Sequence, residues 1–230
     1  MLHTGNSSSW FHTLKELSIR YSLPEPLQLL CQPLPKLKYK NLIRSKILQY
    51  SHHILVQQTK AKKSLKFLRP EFIPLGSGPH PIFLSCGNSS SATQAATVVA
   101  EILSGRYRDD YLCSKWTNTS GACTNCGFYP GDCVHYLSLQ CPALSVSLQN
   151  TLNYSLSLLP TFPDLSFPVY EALSKTPFEW SVFVLDPVSS PSVVPIRQEY
   201  GLQSVYPLLK LSRAFVWTMH RERKKLTNIQ

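Results

Sequence analysis

Residues 121–144 read GACTNCGFYPGDCVHYLSLQCPAL and contain four side chains with the spacing of a metal site. Two residues separate Cys123 from Cys126, which allows both thiolates to bind one ion. His135 and Cys141 follow in the sequence and can complete a tetrahedral set of four ligands. Zinc suits this set of sulfur and imidazole ligands best. Because all four positions are protein ligands, the stretch predicts a structural zinc knuckle of the Cys-Cys-His-Cys (CCHC) type and does not imply an open catalytic site.

Cys133 is a competing ligand, because it lies two residues before His135. If Cys133 coordinates the ion, it displaces His135 or Cys141. A second alternative is that these cysteines are unrelated thiols on a loop, and the first pair alone would not exclude it. The chain has seven cysteines, which is an odd number, and four of them lie in the segment 123–141. This pattern favours thiolate ligands over a disulfide framework. We expect Cys31, Cys86 and Cys113 to be core or surface thiols.

The charge of the chain predicts an anionic partner. Its formal net charge is +10 and its pI about 9.3. The stretch 26–70 contains ten lysines and arginines and no acidic residue. Clustered lysines and arginines attract phosphates and release counterions, so we expect RNA or DNA to bind here. The predicted nucleic-acid contacts are Lys36, Lys38, Lys40, Arg44, Lys46, Lys60, Lys62, Lys63, Lys66, Arg106 and Arg108, together with Phe128 and Tyr136 as exposed aromatic side chains that stack on unpaired bases.

The chain is expected to be mainly α, an irregular multi-helix domain with an embedded CCHC zinc knuckle and few or no strands. Eighteen prolines against nine glycines indicate many short elements. Helical periodicity or capping predicts helices at about 9–21, 24–32, 39–64, 91–103, 142–159, 169–174 and 206–226. Residues 178–185 fit a strand or a buried helix, and we favour helix. The expected segments are a basic helical connection at 1–70, a linker at 71–90, a helix with the knuckle at 91–160 and a C-terminal helical segment at 161–230.

The sequence contains no segment typical of a signal peptide and no apolar run long enough to span a bilayer. We therefore expect a protein of the nucleus and cytoplasm that is not secreted and has no membrane partner.

The knuckle and its flanking motifs resemble the C-terminal region of reverse transcriptases from non-LTR (LINE-type) retrotransposons. The resemblance is carried by ILSGRYR at 102–108, Trp116, the CCHC residues, Gly131-Asp132 and CPAL at 141–144, and also by SWF at 9–11, YSLP at 21–24, FLRPEF at 67–72, LSRAFVW at 211–217 and HRER at 220–223. The family usually has one residue fewer between the histidine and the last cysteine, where this chain has five, 136–140. Met1 would fall inside a much longer reading frame, so the chain is expected to be a fragment or a degenerate copy.

The resemblance implies that the chain grips template RNA or target DNA for target-primed reverse transcription, while other regions of the polyprotein carry the polymerase. Asp109-Asp110 is the only adjacent pair of acids, but it follows a helix end and is interpreted as solvated loop acids, so the chain alone is expected to be inactive. The alternative is a zinc-stapled helical scaffold or protein-interaction domain that does not bind nucleic acid.

Overall fold

The computed structural model describes residues 10–72 and 78–227, and in those residues it is mainly α-helical, with no strand. This confirms the predicted fold class. The α-helices are α1 (Trp10–Arg20), α2 (Pro26–Cys31), α3 (Lys36–Ala61), α4 (Pro81–Leu84), α5 (Ser90–Leu103), α6 (Asp110–Cys113), α7 (Cys133–Leu137), α8 (Pro142–Ser157), α9 (Ser166–Leu173), α10 (Pro177–Leu185), α11 (Val194–Tyr200) and α12 (Tyr206–Thr227). Short 3₁₀ helices lie at Lys63–Leu65, Pro70–Phe72, Pro187–Ser189 and Leu202–Val205.

The predicted helices are all present, with ends displaced by a few residues. The predicted helix at 39–64 begins earlier, at Lys36, and ends at Ala61, after which a 3₁₀ turn follows. Residues 178–185 are helical, as favoured. A capping box at Thr176 and Glu179 starts this helix, since each side chain accepts from the backbone of the other. Residue 9, where the first predicted helix begins, lies outside the described residues.

Four short helices were not predicted from the sequence: α4, α6, α7 and α11. The segment 71–90 was expected to be a linker, but α4 lies inside it. His80 caps this helix, because its side chain accepts a hydrogen bond from the amide of Ile82. Helices of a few residues have too little periodicity to be recognised in a sequence.

The chain divides into two compact units. The described part of the first unit is 10–58, which contains α1, α2 and most of α3. Inside it, the rings of Tyr21 and Tyr50 meet edge to face with centroids 4.9 Å apart. Ser18 and Pro26 are its only buried described residues. The unit therefore leaves much apolar surface exposed.

The second unit, described at 59–72 and 78–227, has α12 at its centre. The buried face of α12 packs against α5, α8 and α10. From α8, Leu144, Leu148 and Leu152 face this core at every fourth position, as expected of an amphipathic helix. The rings of Trp180 and Phe215 meet edge to face at 5.9 Å. The predicted segments 91–160 and 161–230 thus share one core.

Two polar side chains of α12 form hydrogen bonds to neighbouring helices within the core. Arg213 is buried and donates to the carbonyl of Ile82 at 3.1 Å and to the hydroxyl of Ser85, so it fastens α12 to α4. Ser212 donates to the carbonyl of Val184 on α10. Arg213 is therefore a structural residue of the core.

No helix within the described ranges combines the length and the apolar character needed to cross a bilayer.

Candidate metal centre

Three local structures position the four predicted ligands. Cys123 and Cys126 lie on the loop between α6 and α7, His135 lies on α7, and Cys141 is the N-cap residue of α8. Pro142 occupies the first turn of α8, where its missing amide hydrogen costs nothing. Two of the four candidate ligands, His135 and Cys141, are therefore positioned by helices.

The four ligand atoms lie within 4.8 Å of one another. The two sulfurs of Cys123 and Cys141 are 3.8 Å apart, and the sulfur of Cys126 is 3.2 Å from Nε2 of His135. Zinc–sulfur bonds of about 2.3 Å in a tetrahedron separate two sulfurs by about 3.8 Å, so the spacing fits a zinc ion. Cys126 is exposed and the other three are buried. The cluster can hold a metal ion, and that the ion is zinc is a prediction.

Backbone hydrogen bonds join the two arms of the loop 121–131, which carries Cys123 and Cys126. The amide of Cys123 donates to the carbonyl of Phe128 at 2.8 Å, and that of Gly131 donates to the carbonyl of Gly121 at 3.0 Å. A Cβ at 131 would lie only 2.5 Å from the amide nitrogen of Cys123, so only glycine fits there. The close approach of the two loop arms is what brings Cys123 to the ligand cluster.

The five residues between His135 and Cys141 fit the site because the chain turns sharply after α7. Leu139 adopts a φ of +65°, in the left-handed region, and its side chain packs against the core. The turn reverses the chain and delivers Cys141 to the cluster. The longer spacing is therefore compatible with a metal site.

The electrostatics of the cluster favour a cation. Burial and the neighbouring Cys123 thiolate raise the pKa of Cys141 to about 12. At Cys123 burial opposes ionisation, but hydrogen bonds from the amides of Asn125 and Cys126 lower its pKa on balance. Burial lowers the pKa of His135, which keeps the imidazole in the neutral form that coordinates metals. Two thiolates this close repel each other, and a bound dication removes that repulsion.

Cys133 lies outside the ligand cluster and has a different partner. Its thiol donates to Oδ2 of Asp109 at 3.3 Å and its amide to the same oxygen at 3.1 Å. Burial raises the pKa of Cys133 well above its ordinary value. The alternative in which Cys133 replaces His135 or Cys141 is thus disfavoured by the geometry.

Asp109 and Asp110 are structural residues, so the interpretation of both as solvated loop acids is wrong. Asp109 is buried and caps α6 by accepting from the amide of Leu112 at 2.7 Å. Asp110 accepts from the hydroxyl of Tyr136 at 2.8 Å and from the guanidinium of Arg223 at 2.7 Å. Burial opposes the ionisation of Asp110, but these bonds and one from the amide of Thr124 lower its pKa on balance.

Tyr136 is fully buried, so its predicted role as an exposed stacking aromatic is wrong. Its ring lies under the guanidinium of Arg223, 5.3 Å from centroid to Cζ, and its hydroxyl is bound by Asp110. Phe128, by contrast, is 48% exposed and stacks on the His135 ring at 4.5 Å and 9°. One face of Phe128 therefore covers a ligand, and the side chain also reaches solvent.

Most of the predicted basic contacts are exposed. Lys46 is half-buried. The exposed residues are Lys36, Lys38, Lys40, Arg44, Lys60, Lys62, Lys63, Lys66, Arg106 and Arg108. Within the described ranges, only Lys66 of these residues forms an ion pair, at 3.1 Å from Asp132. Asp132 also accepts from the backbone amide of His135 at 3.1 Å, so it caps α7.

Three contacts near the site were not foreseen from the sequence. Nη1 of Arg223 donates to the carbonyl of Arg108 at 2.7 Å, Lys66 binds Asp132, and the hydroxyl of Tyr107 lies 3.2 Å from Nδ1 of His220. Each joins residues distant in sequence, and no local pattern marks such pairs.

Comparisons of the chain with protein-family models, with curated proteins and with solved structures gave no match.

Proposed function

We propose that the chain is a nucleic-acid-binding module, the C-terminal portion of a non-LTR retrotransposon reverse transcriptase. In this proposal it grips template RNA or target DNA for target-primed reverse transcription, and other regions of the polyprotein supply the polymerase. The observation that carries the proposal is the acid-free stretch 26–70, whose lysines and arginines are mostly exposed. Exposed cations without acidic partners are available to phosphates.

The spacing of three basic residues on α3 supports phosphate binding. Lys36, Lys40 and Arg44 recur at every fourth position of a continuous helix and are all exposed. Residues at that spacing share one helix face and rise by about 6 Å per step. No residue of α3 is buried. This helix face offers a row of cations that a phosphate backbone can follow.

The proposed zinc ion has a structural role. Cys123, Cys126, His135 and Cys141 would hold it, and the ion would supply the cross-link that a loop with few buried apolar side chains lacks. With the loop fixed, Phe128 is held at the surface next to the cluster, where it can stack on an unpaired base. Arg106 and Arg108 are exposed on the segment between α5 and α6.

The packing gives physical reasons for two motifs of the resemblance. In GRYR at 105–108, Gly105 adopts a φ of +67° at the end of α5, and Tyr107 is buried beneath α12. In CPAL at 141–144, Cys141 is a candidate ligand, Pro142 begins α8, and Leu144 is fully buried. These roles are consistent with a shared fold in this region of the family.

A scaffold function is the second candidate, and the exposed apolar surface of the first unit favours it. Trp10, Ile19 and Leu37 are 75%, 81% and 70% exposed. Exposed apolar side chains in such number are typical of a protein-binding surface. In this alternative the positive charge only aids solubility.

Fluorescence anisotropy with a 5′-labelled single-stranded RNA, measured at several salt concentrations in the presence of zinc, separates the two candidates. The proposal predicts binding whose log K falls linearly with log salt, because neutralised phosphates release counterions. Competition with single-stranded DNA of the same sequence then gives the preferred nucleic acid. Absence of binding at low salt would overturn the proposal in favour of the scaffold.

A further inference from the structure

A cavity of about 380 Å³ lies beside the candidate metal centre, within the second unit. Its lining residues come from four segments of the chain, 63–67, 102–109, 111–115 and 130–133. None of the four candidate metal ligands lines it. The cavity is therefore distinct from the metal centre, although both share the same loop.

Three aromatic side chains, Phe67, Tyr107 and Tyr111, belong to the lining of the cavity. Phe67 and Tyr107 are buried and form part of the lining, and Tyr111 and Pro130 are half-buried. The ring of Tyr111 is held in place by an edge-to-face contact with Tyr129, at 5.9 Å between centroids. A half-exposed aromatic ring fixed in this way can stack against a planar group.

Lysines surround the same cavity. Lys63, Lys66 and Lys115 belong to its lining and are exposed. Lys115 lies over the Tyr111 ring, 5.1 Å from its centroid. Lys66 is paired with Asp132, whereas Lys63 and Lys115 have no carboxylate within 4 Å among the described residues. Two ammonium groups without a carboxylate partner, next to the Tyr111 ring, fit a ligand that is both planar and anionic.

The lining contains two carboxylates, Asp109 and Asp132, against three lysines, so its net charge is positive. Asp109 accepts from the amides of Leu112 and Cys133 at 2.7 and 3.1 Å. Asp132 is bound by Lys66 and by the amide of His135. Both carboxylates are thus occupied by donors of the protein, and the remaining ammonium groups are available to a ligand.

We propose that this cavity takes one unpaired nucleotide of a bound strand, with its base on Tyr111 and its phosphate at Lys63 and Lys115. The inference rests on the proposed function and adds a specific pocket to it. The volume lies in the range of about 300–1,000 Å³ that is usual for small-ligand pockets. A base within a duplex cannot leave its stack without loss of pairing, so the pocket selects single-stranded or flipped-out nucleotides.

Photo-crosslinking of the zinc-loaded chain to a single-stranded RNA that contains 4-thiouridine tests the pocket directly. Trypsin cleaves after Arg108 and Lys115, so Tyr111 lies in the peptide 109–115, and mass spectrometry identifies its adduct. We expect the adduct on Tyr111. Tyr154 is the control, because it is 68% exposed in the same unit and does not line the cavity.

Binding of the same RNA by variants gives an independent readout. Tyr111→Ala is expected to weaken binding by about five- to one-hundred-fold, as for the loss of one stacked base, whereas Tyr111→Phe and Tyr154→Ala retain the affinity. Lys115→Ala is expected to lower the salt slope by about one unit, since one phosphate contact is lost. Because Lys115 is exposed, this variant decides the question even if Tyr111→Ala fails to fold.

The outcomes separate the two proposals. If the wild-type chain binds RNA but the adducts lie on other peptides and the Tyr111 and Lys115 variants bind normally, the pocket is rejected and the proposed function stands. If the wild-type chain binds no RNA, both are overturned.

Discussion

Arg223 forms an ion pair with Asp110 in which Nη2 donates to Oδ1 across 2.7 Å. Arg223 lies near the end of α12, and Asp110 is the first residue of α6, just before the candidate metal loop. The same guanidinium lies over the ring of Tyr136 on α7 and donates to the carbonyl of Arg108. Through Arg223, α12 therefore contacts both α6 and α7, the two helices that flank the loop with Cys123 and Cys126.

The first prediction is that Arg223→Ala destabilises the second unit by about 3–5 kcal/mol, because it leaves the carboxylate of Asp110 buried without its cation. The two side chains are only 12% and 11% exposed, so solvent screens the pair little. Urea unfolding with zinc present measures the loss. The control is Lys225→Ala, whose pair with Glu222 is more exposed and is expected to be worth at most about 1 kcal/mol.

A double-mutant cycle with Asp110→Asn checks the mechanism of that loss. The two changes together are expected to cost much less than the sum of the single changes, because each already breaks the same pair. Additive costs would show that Arg223 acts through other contacts.

Much of the fold was predictable from periodic and capping patterns. The long elements α3, α5, α8 and α12 carry enough turns for periodicity to show, and Gly105 and Pro142 mark helix ends. The ligand cluster was predictable as well, because the spacing of the three cysteines and the histidine in the sequence is typical of a metal site.

The polar network around the site was not predictable, because it is built from distant pairs. Arg223 looks in the sequence like one more charge of a basic tail, and Asp110 like a loop acid. Tyr136 was predicted to be an exposed aromatic side chain of the knuckle, but it is fully buried. Its buried hydroxyl donates to Asp110 on α6, 26 residues earlier in the chain, and only the folded structure brings these two residues together.

The second prediction concerns Gly131. Gly131→Ala is expected to lower stability and zinc affinity together, because its Cβ would meet the Cys123 backbone at 2.5 Å and push the loop arms apart. Gly87→Ala is the matched control, since Gly87 has a φ of +56° but nothing within 4 Å of the added carbon. Only the left-handed backbone cost of about 1–2 kcal/mol is expected there, without loss of zinc. Equal losses in both variants would contradict the close-approach explanation.

The third prediction assigns the metal ligands. The purified chain is expected to bind about one zinc ion with a sulfur-rich shell, measured by metal analysis and X-ray absorption. Cys126→Ser is expected to lose the ion and Cys133→Ser to keep it, because the Cys133 thiol is bound to Asp109. Chelation should unfold the knuckle loop. A folded chain without zinc, or a Cys133→Ser variant as poor in metal as Cys126→Ser, contradicts the assignment.

The fourth prediction keeps base stacking at Phe128 and no longer includes the buried Tyr136. Phe128→Ala is expected to weaken RNA binding by about 1–3 kcal/mol with an unchanged salt slope, because stacking releases few ions. Phe128→Tyr keeps an aromatic face and should bind normally. Since Phe128 also covers His135, zinc content is measured in each variant. Normal affinity in a zinc-loaded Phe128→Ala protein would rule out this contact.

The salt dependence of RNA binding tests most directly whether the acid-free stretch binds phosphates. Anisotropy titrations over a range of salt concentrations compare the wild type with the Lys60→Ala, Lys62→Ala, Lys63→Ala triple variant. The control carries Lys175→Ala, Lys210→Ala and Lys225→Ala, which remove the same charge outside that stretch. We predict that the slope of log K against log salt falls by roughly two to three units in the first variant, at about one unit per lost contact. An unaltered slope, or an equal fall in the control, would contradict the account and favour the scaffold function.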